Sequence, residues 1–268
     1  MPALLLETAE LQALLDQKSD VILVDVGSAE RFQNAHIPGA VLVTPGETQA
    51  GPPFPGFCPS DDSLTRLMQG IGLTAQSHVV VYDDEGGGWA GRFIWILDEI
   101  GHTHYSHLNG GLQAWASEER TLESGLQKPE HSSITVAAKH NFSVTLAEVV
   151  KLLNESELQI WDARSPLEYR GEALYAARGG HIPGAVNYEW TRAMDQQNSF
   201  RLKPLKQLEA ELLNLGLNKD KATITHCQTH HRSGLTYLLA KLIGFQNIKA
   251  YPGSWGEWGN HPETPIET

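Results

Sequence analysis

The sequence predicts an α/β protein built from two tandem domains, each a mostly parallel sheet flanked by helices. Three observations predict it. The chain has 268 residues, and domains commonly run to roughly 100–200 residues. The chain also repeats itself: His36-Ile37-Pro38-Gly39-Ala40-Val41 returns as His181-Ile182-Pro183-Gly184-Ala185-Val186, from 36 to 181, an offset of 145. Within each copy, short β-rich runs alternate with helix-periodic stretches, the pattern of a parallel sheet covered on both faces.

The repeat extends along nearly the whole chain. Thr8 matches Thr145 and Asp25-Val26-Gly27 matches Asp162-Ala163-Arg164, each at an offset of 137. Ile71-Gly72-Leu73 matches Leu215-Gly216-Leu217 at 144, and Gly101–Gly110 matches Gly244–Gly253 at 143. The step between 137 and 145 marks an insertion in the second copy around Gly171 to Gly180. A period this long indicates a duplicated domain, not a solenoid.

The elements follow from local pattern. Thr145 with Glu148 forms a capping box, and Val149, Val150, Leu152 and Leu153 supply the apolar stripe of the helix behind it. Leu158-Gln159-Ile160-Trp161 is a short strand ending at Asp162. Leu205 to Leu213 carries leucines at helical spacing, with Gly216 just beyond. Ala222-Thr223-Ile224-Thr225-His226 is short and β-rich, as buried central strands are, and His78 to Tyr82 is its match in the first copy. Gly234 to Ile243 is helical again and stops at Gly244. Between the copies, Thr121 to Asn141 lacks periodicity and reads as linker; Ile134-Thr135-Val136 fits either an extended strand or a packed arm.

Composition narrows the function. Twenty basic residues against 32 acidic give a net charge of −12, so nucleic acid and anionic membranes are poor partners. The longest apolar runs, such as Ile94 to Leu97, are too short to span a bilayer. The start, Met1 to Glu7, has no basic residue before its short apolar stretch and does not read as a secretory signal, so a cytoplasmic location is expected. Two cysteines and no Cys-x-x-Cys pair exclude a disulfide framework or a thioredoxin-like site. Any cysteine chemistry rests on one thiol.

That thiol is Cys227. Ligands of open parallel sheets bind beyond the carboxyl ends of the strands, and after the strand at Ala222 to His226 comes Cys227-Gln228-Thr229-His230-His231-Arg232-Ser233, then a helix. The first N–H groups of a helix lack partners and attract anions; a cysteine there is stabilised as thiolate. Arg232 adds a fixed cation. In the first copy the matching position, from 227 back by 144, is Asp83. One copy therefore offers a nucleophile and the other a carboxylate. Cys58, between Phe57 and Pro59, has no such setting and reads as inert.

The chain resembles the two-domain rhodaneses, and in particular the bacterial thiosulfate sulfurtransferases with a Cys-Gln-Thr-His-His-Arg loop. The carriers are Asp162-Ala163-Arg164, the twice-used His-Ile-Pro-Gly-Ala stretch, the Cys227 loop, and Gly253-Ser254-Trp255-Gly256-Glu257-Trp258. The resemblance implies a non-catalytic N-terminal rhodanese-like domain (1–123), a linker (124–141) and a catalytic C-terminal domain (142–268), with the active site between the domains. It also implies sulfur transfer through a persulfide on Cys227, from a small anionic donor such as thiosulfate to a thiophilic acceptor: cyanide, a thiol or a protein. Gln228, Thr229, His230, His231, Arg232 and Ser233 would form the substrate-binding loop. No cofactor is expected beyond the covalent persulfide. Asp162, Arg164, Ser254 and Trp255 are read as supports behind the loop, with a structural ion pair as the alternative for Asp162 and Arg164. One or two of Trp89, Phe93, Trp190, Trp255 and Trp258 are candidates to wall the pocket.

Departures from the family pattern matter. Many rhodanese loops have glycine where this chain has His230, and mammalian-type enzymes have lysine at Thr229 and arginine at Glu168. The 3-mercaptopyruvate enzymes usually read Cys-Gly-Ser-Gly-Val-Thr, so Gln228, Thr229 and Arg232 favour thiosulfate. A 3-mercaptopyruvate sulfurtransferase and a persulfide carrier for iron–sulfur or thio-cofactor assembly stand as alternatives, since one loop serves all three tasks. A cysteine phosphatase is a further, less favoured alternative: those enzymes place five residues between cysteine and arginine, here there are four, and the shorter ring better suits a single terminal sulfur than a tetrahedral phosphate. His102, His104 and His107, and the histidines around Cys227, read as packing residues and not as metal ligands. His36 and His181 are expected to hydrogen-bond within their turns.

Overall fold

A computed structural model describes residues 3–17, 20–126, 130–153, 155 and 158–268. The start at Met1-Pro2 and part of the expected linker, residues 127–129, lie outside the described residues.

The N-terminal half contains strands β1 (Leu5–Leu6), β2 (Val21–Val26), β3 (Val41–Val43), β4 (His78–Tyr82) and β5 (Tyr105–Leu108). They form one parallel sheet in the order β1-β5-β4-β2-β3. Helices α1 (Thr8–Asp16), α2 (Ala29–Asn34), α3 (Asp61–Gly70), α4 (Gly88–Ile100) and α5 (Gly111–Ser117) cover its faces. Every residue of β4 is buried, which is why its sequence runs through three consecutive valines without alternation.

The C-terminal half repeats the plan with α6 (Leu146–Leu152), β6 (Leu158–Asp162), α7 (Pro166–Tyr169) and β7 (Ala185–Asn187). A small antiparallel pair follows, β8 (Met194–Asp195) and β9 (Arg201–Leu202). Then come α8 (Leu205–Asn214), β10 (Ala222–His226), α9 (Arg232–Ile243), β11 (Ile248–Ala250) and α10 (Ser254–Trp258). Its parallel sheet runs β11-β10-β6-β7. The counterpart of β1 is reduced to a single parallel bridge from Ser143 to Ala250. The register is the same in both sheets: Asp25 lies beside Tyr82, and Asp162 beside His226.

The duplicated turn histidines work alike. His36 stacks on Phe32 at 3.9 Å and bonds its carbonyl; His181 stacks on Tyr169 at 3.6 Å and bonds its carbonyl. Among its described residues the linker carries no strand at Ile134-Thr135-Val136. Residues 134–136 are a packed arm against the first domain, where Thr65 Oγ1 and Gln69 Nε2 donate to the carbonyls of Val136 and Ile134.

The two domains meet along α4 and α9, themselves repeat partners (88 to 232). Their backbones cross at Gly91 and Gly234: a Cβ on Gly91 would stand 2.3 Å from the Gly234 carbonyl oxygen, and one on Gly234 2.5 Å from Arg92 N. Only glycine permits that approach. Around the crossing, Phe93, Ile94 and Trp95 join Leu235, Tyr237 and Leu238 in a single hydrophobic core that crosses the domain boundary. Beside it, the buried Asp98 carboxylate accepts from Tyr105 Oη at 2.6 Å and from Tyr237 Oη at 2.7 Å, and also pairs with Lys241. Burying a carboxylate demands such partners.

Candidate active site

The site forms where β10 ends and α9 begins. Cys227 follows the last residue of β10, and Arg232 opens α9. Between them the loop closes over the sulfur, so Cys227 is 1% exposed. Burial pushes its thiol up. The Arg232 cation, the Ser233 hydroxyl at 3.4 Å, and the N–H groups of Ser233 and Thr229 outweigh that and hold it below the ordinary cysteine value. A buried thiol is commonly inert; this one is buried inside a ring of donors, which favours the thiolate. Cys58 supplies the contrast, since burial drives its thiol up to about 12.

The loop is held from behind by α10. Trp255 N and Gly256 N each donate, at 2.9 Å, to the carbonyls of Cys227 and Gln228. Cys227 N donates to Ser254 Oγ at 3.3 Å. Ser254 is thus placed directly against the loop, as a support. The Trp255 ring lies beneath the Arg164 guanidinium, 4.3 Å from ring centroid to Cζ. Asp162 and Arg164 form a fully buried ion pair, Nη2 to Oδ2 2.6 Å, and Arg164 also donates to the Gly180 carbonyl. They fix the strand end beside His226, whose Nε2 lies 3.6 Å from Asp162 Oδ2.

The first domain provides an internal control. Asp83 occupies the place of Cys227, and its carboxylate fills its own cradle. Oδ1 accepts from Gly87 N at 2.8 Å and Glu85 N at 3.0 Å, and Oδ2 from Ala90 N at 3.0 Å. The repeated strand–loop–helix unit thus turns its N–H groups toward a built-in carboxylate in one copy and toward the Cys227 sulfur in the other.

Two loop residues differ from their expected setting. Arg232 is expected to face an anionic substrate, yet both its terminal nitrogens are engaged by Glu168, at 2.6 and 2.8 Å. Glu168 is 4% exposed; burial raises its carboxyl, and Arg232 draws it below the usual range. The departure at Glu168 thus converts a free cation into a closed pair. His230, expected to face substrate as part of the binding loop, is 0% exposed and turned inward, edge-on to Trp95 at 4.5 Å. His231 lies at the domain junction, stacked on Trp89 at 4.1 Å and tilted against Trp190 at 5.4 Å, with Nε2 3.3 Å from Glu85 of the first domain. Of the candidate wall residues, Trp89 and Trp190 are half-buried beside this loop, whereas Phe93, Trp255 and Trp258 are core. Gln228 and Thr229 are half-buried, and the Gln228 amide donates to the Tyr175 carbonyl, inside the insertion that only the second copy carries.

The N-terminal domain contributes one residue the sequence did not single out. Arg92 on α4 is 0% exposed and has no carboxylate partner among the described residues' contacts; its nitrogens donate to the carbonyls of Thr48, Gly56 and Phe57 and to the His230 carbonyl at 3.3 Å. It reaches the loop only because α4 crosses α9, a contact that no local pattern announces.

Comparison with known proteins accords with this geometry. Residues 7–118 and 145–261 each match the rhodanese-like domain. A thiosulfate sulfurtransferase of Azotobacter vinelandii is 51% identical over 265 residues, covering 98% of this chain and 97% of that one. One from Pseudomonas aeruginosa is 48% identical over 249 residues, covering 92% and 91%. Among solved structures, SseA from Escherichia coli, described as a 3-mercaptopyruvate sulfotransferase, superposes with a TM-score of 0.84 at 27% identity, covering 95% of this chain and 99% of that one. With a matching domain in each half and relatives near half identity along its length, the chain belongs to the rhodanese family.

Proposed function

We propose that the protein is a thiosulfate sulfurtransferase that carries sulfur as a persulfide on Cys227. The observation that carries this reading is the setting of Cys227: its sulfur follows the end of β10, with the Ser233 hydroxyl at 3.4 Å and Arg232 opening α9 just beyond the loop, so that donors surround it. The thiolate attacks the outer sulfur of thiosulfate. The S–S bond of the donor breaks, its electron pair leaves with sulfite, and Cys227 retains one sulfur as the persulfide anion. A thiophilic acceptor such as cyanide then takes that sulfur, and the electron pair of the broken bond returns to Cys227 as thiolate. Charge is conserved in each half-reaction and no proton transfer is required. No cofactor is needed, because the persulfide is the carrier.

The N–H groups of Thr229 and Ser233 and the Arg232 charge stabilise the anion at both stages. The half-buried rim of Gln228, Thr229 and Arg232 yields to admit the donor. Thiosulfate is favoured over 3-mercaptopyruvate because the relatives near half identity are thiosulfate enzymes, while the 3-mercaptopyruvate neighbour stands at 27%. Thiols and protein thiols are the acceptors we propose in the cell. A lone reactive thiol also suits the reducing cytoplasm, where we place the protein. Among the described residues no helix is long and apolar enough to cross a membrane.

Initial rates of thiocyanate formation, measured while thiosulfate and cyanide are both varied, test the reading. Parallel double-reciprocal lines are expected. Intersecting lines, or release of phosphate from an aryl phosphate in place of thiocyanate from thiosulfate, would overturn it.

A further inference from the structure

Behind the sulfur stands a chain of two side chains to which the two transfer steps assign no bond made or broken. Ser233 Oγ lies 3.4 Å from Cys227 Sγ, and His230 Nδ1 lies 2.8 Å from Ser233 Oγ. All three side chains are essentially sealed: Cys227 is 1% exposed, and His230 and Ser233 are 0%. The other ring nitrogen, His230 Nε2, is buried and has no hydrogen-bond partner among the described residues.

A serine hydroxyl has one hydrogen to give. It has two neighbours that could take it, the sulfur and the imidazole nitrogen. If Nδ1 were bare, the hydroxyl would turn toward it and present lone pairs to the thiolate. If Nδ1 carries the hydrogen, it donates to Oγ, and the hydroxyl hydrogen is left for the sulfur. The orphan Nε2 decides between the two. A neutral imidazole carries one hydrogen, and a buried N–H without an acceptor is costlier than a buried bare nitrogen. The tautomer with hydrogen on Nδ1 leaves Nε2 bare, and it is the cheaper one here.

The ring is also kept from taking a second proton. Burial and the neighbouring Arg92 cation hold the imidazole well below its ordinary value, with His231 adding to the effect. Arg92 further fixes the loop by donating to the His230 carbonyl at 3.3 Å. His230 sits at φ 58°, a left-handed conformation that histidine, asparagine and glycine accept more readily than most residues. That backbone turn is what swings the ring inward toward Ser233.

We propose that His230 is the positioning residue of the nucleophile: its Nδ1–H donates to Ser233 Oγ and thereby aims the Ser233 hydroxyl at the Cys227 sulfur. The hydroxyl is thus oriented before the thiolate forms, and again when the acceptor removes the outer sulfur and Cys227 becomes thiolate once more. The inference rests on Cys227 as the sulfur carrier and deepens that reading. It ties the cross-domain contact of Arg92 to the reactivity of the thiol.

The test is the pH dependence of Cys227 alkylation by iodoacetamide, followed by peptide mass so that Cys58 is read separately. Ser233→Ala removes the hydroxyl. His230→Gly removes the ring without straining the left-handed backbone. His230→Asn keeps an N–H donor near the Nδ1 position and tolerates the same φ. Ser233→Ala and His230→Gly are each expected to raise the midpoint by about one pH unit, a roughly tenfold loss of thiolate below it. The double variant should shift no further than either single, and His230→Asn should stay within about twofold of the unaltered protein. Folding is followed by thermal melting, and Ser233→Ala with His230→Asn keeps the test decisive if the glycine variant does not fold. Overlap of the Ser233→Ala curve with the parent curve would overturn the proposal. So would additive shifts in the double variant, or an asparagine variant that titrates like the alanine one. Failure of the unaltered protein to gain sulfur at Cys227 from thiosulfate would instead sink the reading beneath it, a separate result.

Discussion

Replacing Glu168 by glutamine should weaken the fold slightly and improve the hold on thiosulfate. The Glu168 side chain is 5% exposed and that of Arg232 21%, and the two meet through a pair of hydrogen bonds at 2.6 and 2.8 Å. Hydrogen bonds to charged groups contribute about 1.5–3 kcal/mol. Glutamine keeps the size and one acceptor, and the partly exposed Arg232 recovers some hydration, so the net loss at neutral pH should be about 1–2 kcal/mol. For a chain of this size that lowers the melting temperature by about 2–8 °C.

The pH dependence has a definite sign. The folded Glu168 carboxyl is held below its ordinary value by Arg232 against the opposing effect of burial. Its contribution is therefore present above the unfolded carboxyl value and is lost as pH falls through the folded one. Melting curves of parent and variant should differ at pH 7 and converge in the acid range. In the assay, the freed guanidinium fork of Arg232 can pair with the sulfonate, so KM for thiosulfate should fall by about three- to tenfold, a gain of the order of one charge-assisted contact. An unchanged KM together with unchanged melting at neutral pH would refute the idea that Glu168 restrains Arg232.

Further expectations follow from the same geometry. Cys227→Ser should abolish sulfur transfer while leaving the melting temperature within about 1 kcal/mol equivalent of the parent, checked by thiocyanate assay and calorimetry. Because Arg232 and the loop donors hold the thiol down, kcat/KM for thiosulfate should reach its plateau at a pH below that of a free cysteine; a pH–rate profile with a midpoint at or above the ordinary cysteine value would contradict this. Gly234→Ala places a Cβ 2.5 Å from Arg92 N; forcing α4 from α9 should cost at least about 2 kcal/mol and lower activity, read by urea unfolding. Tyr237→Phe removes one of the donors to the buried Asp98 at 2.7 Å and should cost about 1–2 kcal/mol with kcat unchanged.

The repeat is legible because it is written in the residues themselves, and the strands β4, β6 and β10 because each is a short β-rich run. Ala222 to His226 spans the whole of β10, and the Thr145–Glu148 capping box is present at the start of α6. The apolar run Ile94 to Leu97 is buried on all sides because α4 lies between its own sheet and α9. Strands such as β1, two residues long and held by pairing with β5, leave no periodicity to read. The missing parts of the site are all long-range. Glu168 meets Arg232 across 64 residues, and Arg92 meets the His230 carbonyl across 138. Trp89 and Trp190 close on His231 from opposite domains. No spacing rule announces such pairings, because helix packing brings them together. The inward turn of His230 follows from one left-handed backbone angle, which histidine permits but does not signal.

The most direct measurement is the intact mass of the protein after incubation with thiosulfate and removal of excess reagent. A species heavier by a single sulfur atom is expected, mapped to the peptide containing Cys227, discharged by cyanide and absent from Cys227→Ser. A mass that does not change, or a sulfur found on Cys58, would contradict it.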